Sequence, residues 1–178
     1  MNKKSLVAGV SASLVLSISQ AAPFGGPEDV AYADKLWQVM LDQRFAGAGS
    51  IYGTPYKGSP PHGAILDTID GEVTVGENTG VLIVKRNYGG SGVSKSAVAN
   101  APLDYLKAIT IMYKRKGYDP DNKDWFWVKY KPDGSLHVND KNMPLAGQVA
   151  KGMPTGCLSC HVAASGGDLV FNNDRFVD

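Results

Sequence analysis

Both cysteines of the chain fall within five residues, Cys157-Leu158-Ser159-Cys160-His161, and no other cysteine exists to pair with either. Two thiols three positions apart lie on one side of a single helical turn. There both can add to the vinyl groups of a haem, and the imidazole that follows the second thiol reaches the iron from the proximal face. A chain carrying CxxCH for this purpose must build an apolar cavity beside a short helical turn late in its sequence. The rival uses of the pair fit less well. A thioredoxin-like dithiol normally follows a strand at the start of a βαβ unit, and this pair lies near the C-terminal end. A structural zinc site needs two further ligands, whereas His62 and His137 are scattered singly. A plain disulfide is the remaining alternative. The sequence therefore predicts one covalently attached c-type haem, with Cys157 and Cys160 as attachment residues and His161 as the iron ligand.

The other end of the chain speaks to compartment. Met1-Asn2-Lys3-Lys4 is a short positive region, Leu6 to Ile18 is an apolar and small-residue stretch of 13, and Ser19-Gln20-Ala21 offers a small-x-small cleavage site. Residues 1–21 are thus expected to be a cleaved signal peptide, and residues 22–178 a single exported, periplasmic domain. The apolar stretch is too short to span a bilayer and nothing later approaches the necessary length, so no membrane span is expected after cleavage. Export agrees with the haem reading, since covalent c-type haem is assembled outside the bacterial inner membrane. Cleavage leaves 178 − 21 = 157 residues, enough for one domain with a core. The signal holds two lysines and no acid, so the mature chain has 18 − 2 = 16 basic and 17 acidic side chains, a formal charge of −1. That balance argues against nucleic acid as a partner, and the basic run Lys114-Arg115-Lys116, followed by the acid-rich Asp119 to Asp124, reads as a solvated strand end.

Periodicity predicts one helix and then strands. Val30, Ala33, Leu36, Trp37, Met40 and Leu41 recur at helical spacing, with Asp29 as the expected N-cap. Gly47 to Gly63 is rich in Gly, Pro and Ser and reads as a loop. Candidate strands follow at Ala64 to Ile69, Val81 to Tyr88, Leu106 to Lys114, Asp124 to Tyr130 and Ser135 to Val138, with a turn at Pro132-Asp133-Gly134 closing a hairpin between the last two. Strands in series without helices between them favour an α+β fold. The expectation is a mainly antiparallel β-sheet with an N-terminal helix and a C-terminal helical turn carrying c-type haem. This is not the all-helical layout of small electron-carrying cytochromes c.

Four stretches together resemble the cytochrome P-460 family: Pro61-His62-Gly63, then Gly80-Val81-Leu82-Ile83-Val84-Lys85-Arg86-Asn87-Tyr88, then Ile109 to Pro120 leading into Asp124-Trp125-Phe126-Trp127, and finally Gly156 to His161. The family contains P-460 enzymes that oxidise hydroxylamine and β-type cytochromes c′ that bind small gases, both on an antiparallel sheet with a five-coordinate c-type haem. The resemblance implies that Lys85 is the lysine whose amine P-460 proteins bond to a haem meso carbon. Strand alternation places Lys85 with Val81 and Ile83, opposite Leu82, Val84 and Arg86. Desolvation on a haem-facing surface favours the neutral, nucleophilic form of an amine. In one respect the chain departs from the family, which often has an acid directly after this lysine, where Arg86 stands here.

The resemblance thus implies oxidation of hydroxylamine or a related small nitrogen compound. The alternatives are binding of nitric oxide or another small gas without turnover, and a simple electron carrier. Oxidation would require an exported electron-acceptor cytochrome, and the family implies a homodimer. A distal proton acceptor is expected but not assignable; Asp67, Asp70 and Asp124 flank predicted strands and read as turn or cap residues. A methionine sixth ligand belongs to the electron-carrier reading. Met112 reads as core, while Met143 and Met153 each precede a proline in loops. His62 and His137 are expected to be structural or solvent-facing, and Trp125 and Trp127 to pack on one sheet face, where they would meet the haem edge.

Overall fold

The computed structural model describes residues 24–149, 151 and 156–171. The expected signal peptide and Met153 lie outside these residues. The fold is α+β: six antiparallel strands in the order β1-β2-β3-β4-β5-β6 form a meander, with one helix before it and a short helical turn after it.

Helix α1 (Pro27–Asp42) buries Ala33, Leu36, Trp37 and Met40. Its N-cap is Gly26 rather than Asp29, because Pro27 carries a helical φ into the first position and starts the helix early. Asp29 lies inside the first turn, where its carboxylate accepts a hydrogen bond from the Tyr118 hydroxyl at 2.7 Å and burial raises its pKa. Leu41, expected on the apolar stripe, is exposed.

Strands β2 (Ile65–Val75) and β3 (Asn78–Tyr88) form a hairpin longer than expected, running past Ile69 and beginning before Val81. Asp70, Gly71 and Glu72 interrupt the apolar alternation in the sequence, yet Val73 and Val75 resume it as buried residues. Gly76, at a φ of 62°, supplies the left-handed conformation at the turn. The expected loop before β2 contains the two-residue strand β1 (Tyr56–Lys57). Two short helices, α2 (Lys95–Asn100) and α3 (Pro102–Tyr105), interrupt the series of strands, contrary to expectation. Ser94 caps the first by accepting a hydrogen bond from Ala97 N, and Pro102 opens the second.

Strand β4 (Leu106–Lys114) has its expected bounds, and β5 (Trp125–Tyr130) starts one residue after its expected position. The turn at Pro132-Asp133-Gly134 forms, with Gly134 N donating to Lys131 O at 3.0 Å. The segment after it, Ser135 to Val138, makes only isolated bridges from Leu136 to Tyr130 and from Val138 to Pro144. Asn139 Oδ1 caps a further turn through Lys141 N and Met143 N, and Pro144 has no N–H for a ladder. The place beside β5 is taken by β6 (Ala146–Gly147) instead.

Each face of the sheet has its own apolar cluster. Helix α1 packs Leu36, Trp37 and Met40 with Leu82, Val84, Tyr113, Phe126 and Tyr130. Met112, Trp125, Trp127, Val149 and Val170 form the other cluster, against which the helical turn α4 (Cys157–His161) sets Cys157 and Leu158. No helix among the described residues is long and apolar enough to cross a membrane.

Candidate haem site

Alternation along β3 decides what each face receives. Ile83 and Lys85 line a cavity on the α4 side, while Leu82, Val84 and Arg86 turn to the α1 side. Val81, at the far end of the strand, is exposed rather than within the cavity. Arg86 and Asp67 are each 1 % exposed and pair at 2.7 Å, Tyr88 donates to the second carboxylate oxygen at 2.6 Å, and Arg86 also donates to Phe45 O and Ile51 O. Asp67 therefore belongs to a buried network on the helix side and is not a cavity base. Asp124 is a turn residue at a φ of 61° that accepts from Asp119 N. Asp70 is exposed at a register position opposite Ile83.

A transverse row on the cavity side of the sheet runs Thr68, Lys85, Thr110, Lys129, each the Cα partner of the next across β2, β3, β4 and β5. Lys85 is buried. Between this face and α4 lies a cavity that brings together side chains from β2, β3, β4, β5 and the C-terminal segment. Its walls are largely apolar, among them Ile83, Met112, Val170 and Phe171. The polar side chains that line it include Lys85, Thr110, His62 and His161.

The geometry of His161 is that of an oriented metal ligand. Its Nδ1 lies 2.6 Å from Leu169 O, and since a carbonyl can only accept, the ring proton sits on Nδ1 and the lone pair of the neutral ring on Nε2. Leu169 holds its carbonyl there from a left-handed backbone conformation (φ 61°), unusual for a bulky residue. Three rings surround the imidazole: Trp127 at 4.8 Å, Phe171 at 5.3 Å and His62 at 6.2 Å between centroids, all steeply inclined. The segment carrying Leu169 is strapped to the sheet. Trp125 Nε1 donates to Asp168 O at 2.8 Å, and Lys114, stacked on the Trp125 ring, reaches the Asp168 carboxylate at 2.8 Å.

Cys157 faces the cavity and Cys160 is exposed one turn on, both as free thiols. Burial pushes the Cys157 thiol up, with the Lys129 charge opposing it. The donor set fits a haem: two thiols on one helical turn, an imidazole with its Nε2 lone pair set by a backbone carbonyl, and a largely apolar cavity beside them.

His62, expected to be structural or solvent-facing, is instead half-buried in the cavity wall. Burial first, then the charges of Lys85 and His161, push its pKa down to about 4 against the opposing Asn87 hydrogen bond. A lone imidazole in a Pro-His-Gly turn has no periodicity to reveal this; the only signal was that the turn was one of the stretches carrying the resemblance. His137 lies outside the cavity lining, and burial lowers its pKa. Met112 lines the cavity, while Met143 packs half-buried against the same apolar cluster. Trp127 takes part in the site directly, whereas Trp125 acts through Asp168.

A β-meander backed by a helix, with a CxxCH turn closing a cavity on its free face, defines a haem cytochrome built on a sheet rather than on helices. Residues 71–172, more than half of the chain, match the family described as Cytochrome P460, and the chain belongs to that family. No curated protein and no solved structure matches the chain. The family is one of cytochromes, so the group this cavity serves is haem.

Proposed function

We propose that this chain is an exported, mono-haem c-type cytochrome of P-460 type that oxidises hydroxylamine or a related small nitrogen compound at a five-coordinate iron. Cys157 and Cys160 would form the thioethers, His161 Nε2 would be the proximal ligand, and the Lys85 amine would be bonded to the macrocycle. The single observation that carries the reading is the meeting of Lys85, Cys157 and His161 in one cavity, from segments far apart in sequence. When bound, a haem of this kind supplies an iron that takes electrons from a coordinated substrate and passes them on singly. The chain's own residues do the rest: the Leu169 carbonyl orients His161, the apolar walls exclude water, and the buried Lys85 would supply the amine for the bond to the macrocycle. Electrons would leave to another exported cytochrome. Cleavage after Ala21 would release the mature domain into the periplasm, where the family suggests a homodimer.

A second reading, gas binding without turnover, is favoured by the walls themselves. Among the described residues no carboxylate lines the cavity, and Ile83, Met112, Val170 and Phe171 offer a small apolar ligand more than they offer a proton path. A Met112 sixth ligand, with electron transfer as the sole role, is the least supported of the three.

Intact mass of the acid-denatured exported protein, taken with its ferrous optical spectrum, separates these. The mature chain plus haem, less the hydrogens lost on forming a third covalent bond, with a strongly red-shifted Soret band abolished by Lys85→Ala, supports the P-460 type. Chain plus unmodified haem with an ordinary ferrous c-type spectrum supports gas binding, and a mass without haem overturns both.

A further inference from the structure

We infer that His62 is a substrate-binding residue of this cavity, whose Nε2 accepts a hydrogen bond from the N–H or O–H of a protic nitrogen ligand and so selects such ligands over aprotic diatomic gases. The inference rests on the hydroxylamine-type reading above.

Asn87 sets the orientation of His62. The Asn87 amide donates from Nδ2 to two backbone carbonyls, Lys85 O at 3.0 Å and Ala108 O at 3.2 Å, and reaches Thr110 Oγ1 at 3.2 Å. Those carbonyls fix which end of the amide is nitrogen, so the Oδ1 that lies 3.1 Å from His62 Nδ1 can only accept. The ring proton is therefore on Nδ1 and the lone pair on Nε2. His161 is fixed in the same tautomer by a different oxygen, and the two rings lie 6.2 Å apart at 81° in one cavity. The lock on His62 is built into the sheet. The β3–β4 register shifts between Asn87 and Tyr88, an irregularity of the kind that re-aims side chains beside active sites.

Apolar walls separate small ligands poorly, since size alone distinguishes them by little. An acceptor held in such walls, away from competing water, is satisfied by a ligand with a proton to share and left unpaired by one without. Hydroxylamine has such protons; carbon monoxide and nitric oxide have none.

The experiment uses the haem-loaded protein. Ferric protein is mixed with hydroxylamine in the absence of an oxidant and the first optical shift is titrated; ferrous protein is titrated with carbon monoxide. In His62→Phe, which keeps the ring, hydroxylamine affinity should fall about tenfold or more, the loss of one good hydrogen bond, while carbon monoxide affinity holds or rises. His62→Gln, which keeps an acceptor and can still donate to Asn87, should recover part of the loss. Equal weakening of both ligands, or of neither, overturns the inference. So does a wild-type ferric spectrum that is low-spin and turns high-spin in His62→Phe, which would make His62 an iron ligand. If the wild type binds carbon monoxide but not hydroxylamine, the substrate reading itself fails and the inference falls with it.

Discussion

Lys85 and Arg86 are consecutive residues with opposite destinations, and the difference is a single step of strand parity. Lys85 enters the haem cavity, and Arg86 enters a pair with Asp67 on the helix side of the sheet. The residue that departs from the family pattern therefore points away from the cavity. Its role is structural, and its loss should show as such. Arg86→Met leaves the Asp67 carboxylate buried with only the Tyr88 hydroxyl to satisfy it, which should cost about 3–5 kcal/mol in urea unfolding. The ferrous spectrum of the surviving folded fraction should be unchanged. Parity was readable in the sequence, because period-2 alternation needs only the strand to be identified. His62 was not, since its position depends on Asn87, which lies beyond any local pattern.

Elements that hold the site are short, and they depend on a few contacts. The strap that presents the Leu169 carbonyl to His161 is fastened chiefly by the Trp125 indole. Trp125→Phe keeps a ring but removes the N–H, and it should lower stability by about 1 kcal/mol, with faster amide exchange around residues 166–171 and none of that change in β3 and β4. Asp168→Asn should do far less, under about 1 kcal/mol, because its partnership with Lys114 is solvent-exposed. On the sheet's far side, β6 is locked by Gly147. Its φ is 104°, and an added Cβ would run into the Asp29 carboxylate and the Tyr118 hydroxyl. Gly147→Ala should therefore lose about 1–3 kcal/mol from backbone strain alone, read as a lower urea midpoint. The long strands were legible from their apolar alternation, and β4 matched its expected bounds. β1 and β6 were not, because two residues carry no period and owe their place to the longer strands they pair with, β2 and β5.

Across the whole molecule, burial of phenols sets a boundary at high pH. Tyr32, Tyr88, Tyr118 and Tyr130 all have pKa values pushed well above the usual 10, by desolvation first in each case. Below pH 10 both folded and unfolded chains keep these groups protonated and their contribution is intact. Above it the unfolded chain ionises while the folded one does not, so stability falls as pH climbs. Tyrosinate absorbance should rise in step with loss of the far-ultraviolet circular dichroism signal; ionisation of all tyrosines in a still-folded protein would contradict the burial described. The α+β class and the place of the haem turn were both readable in advance, since CxxCH fixes one and strands in series the other. The meander also carries a temporal order. Every strand from β2 to β6 pairs with the one before it, so the whole sheet precedes Cys157 in the chain. Folding can thus raise the floor of the cavity first and leave the attachment turn to arrive last, as a closure made around its cargo.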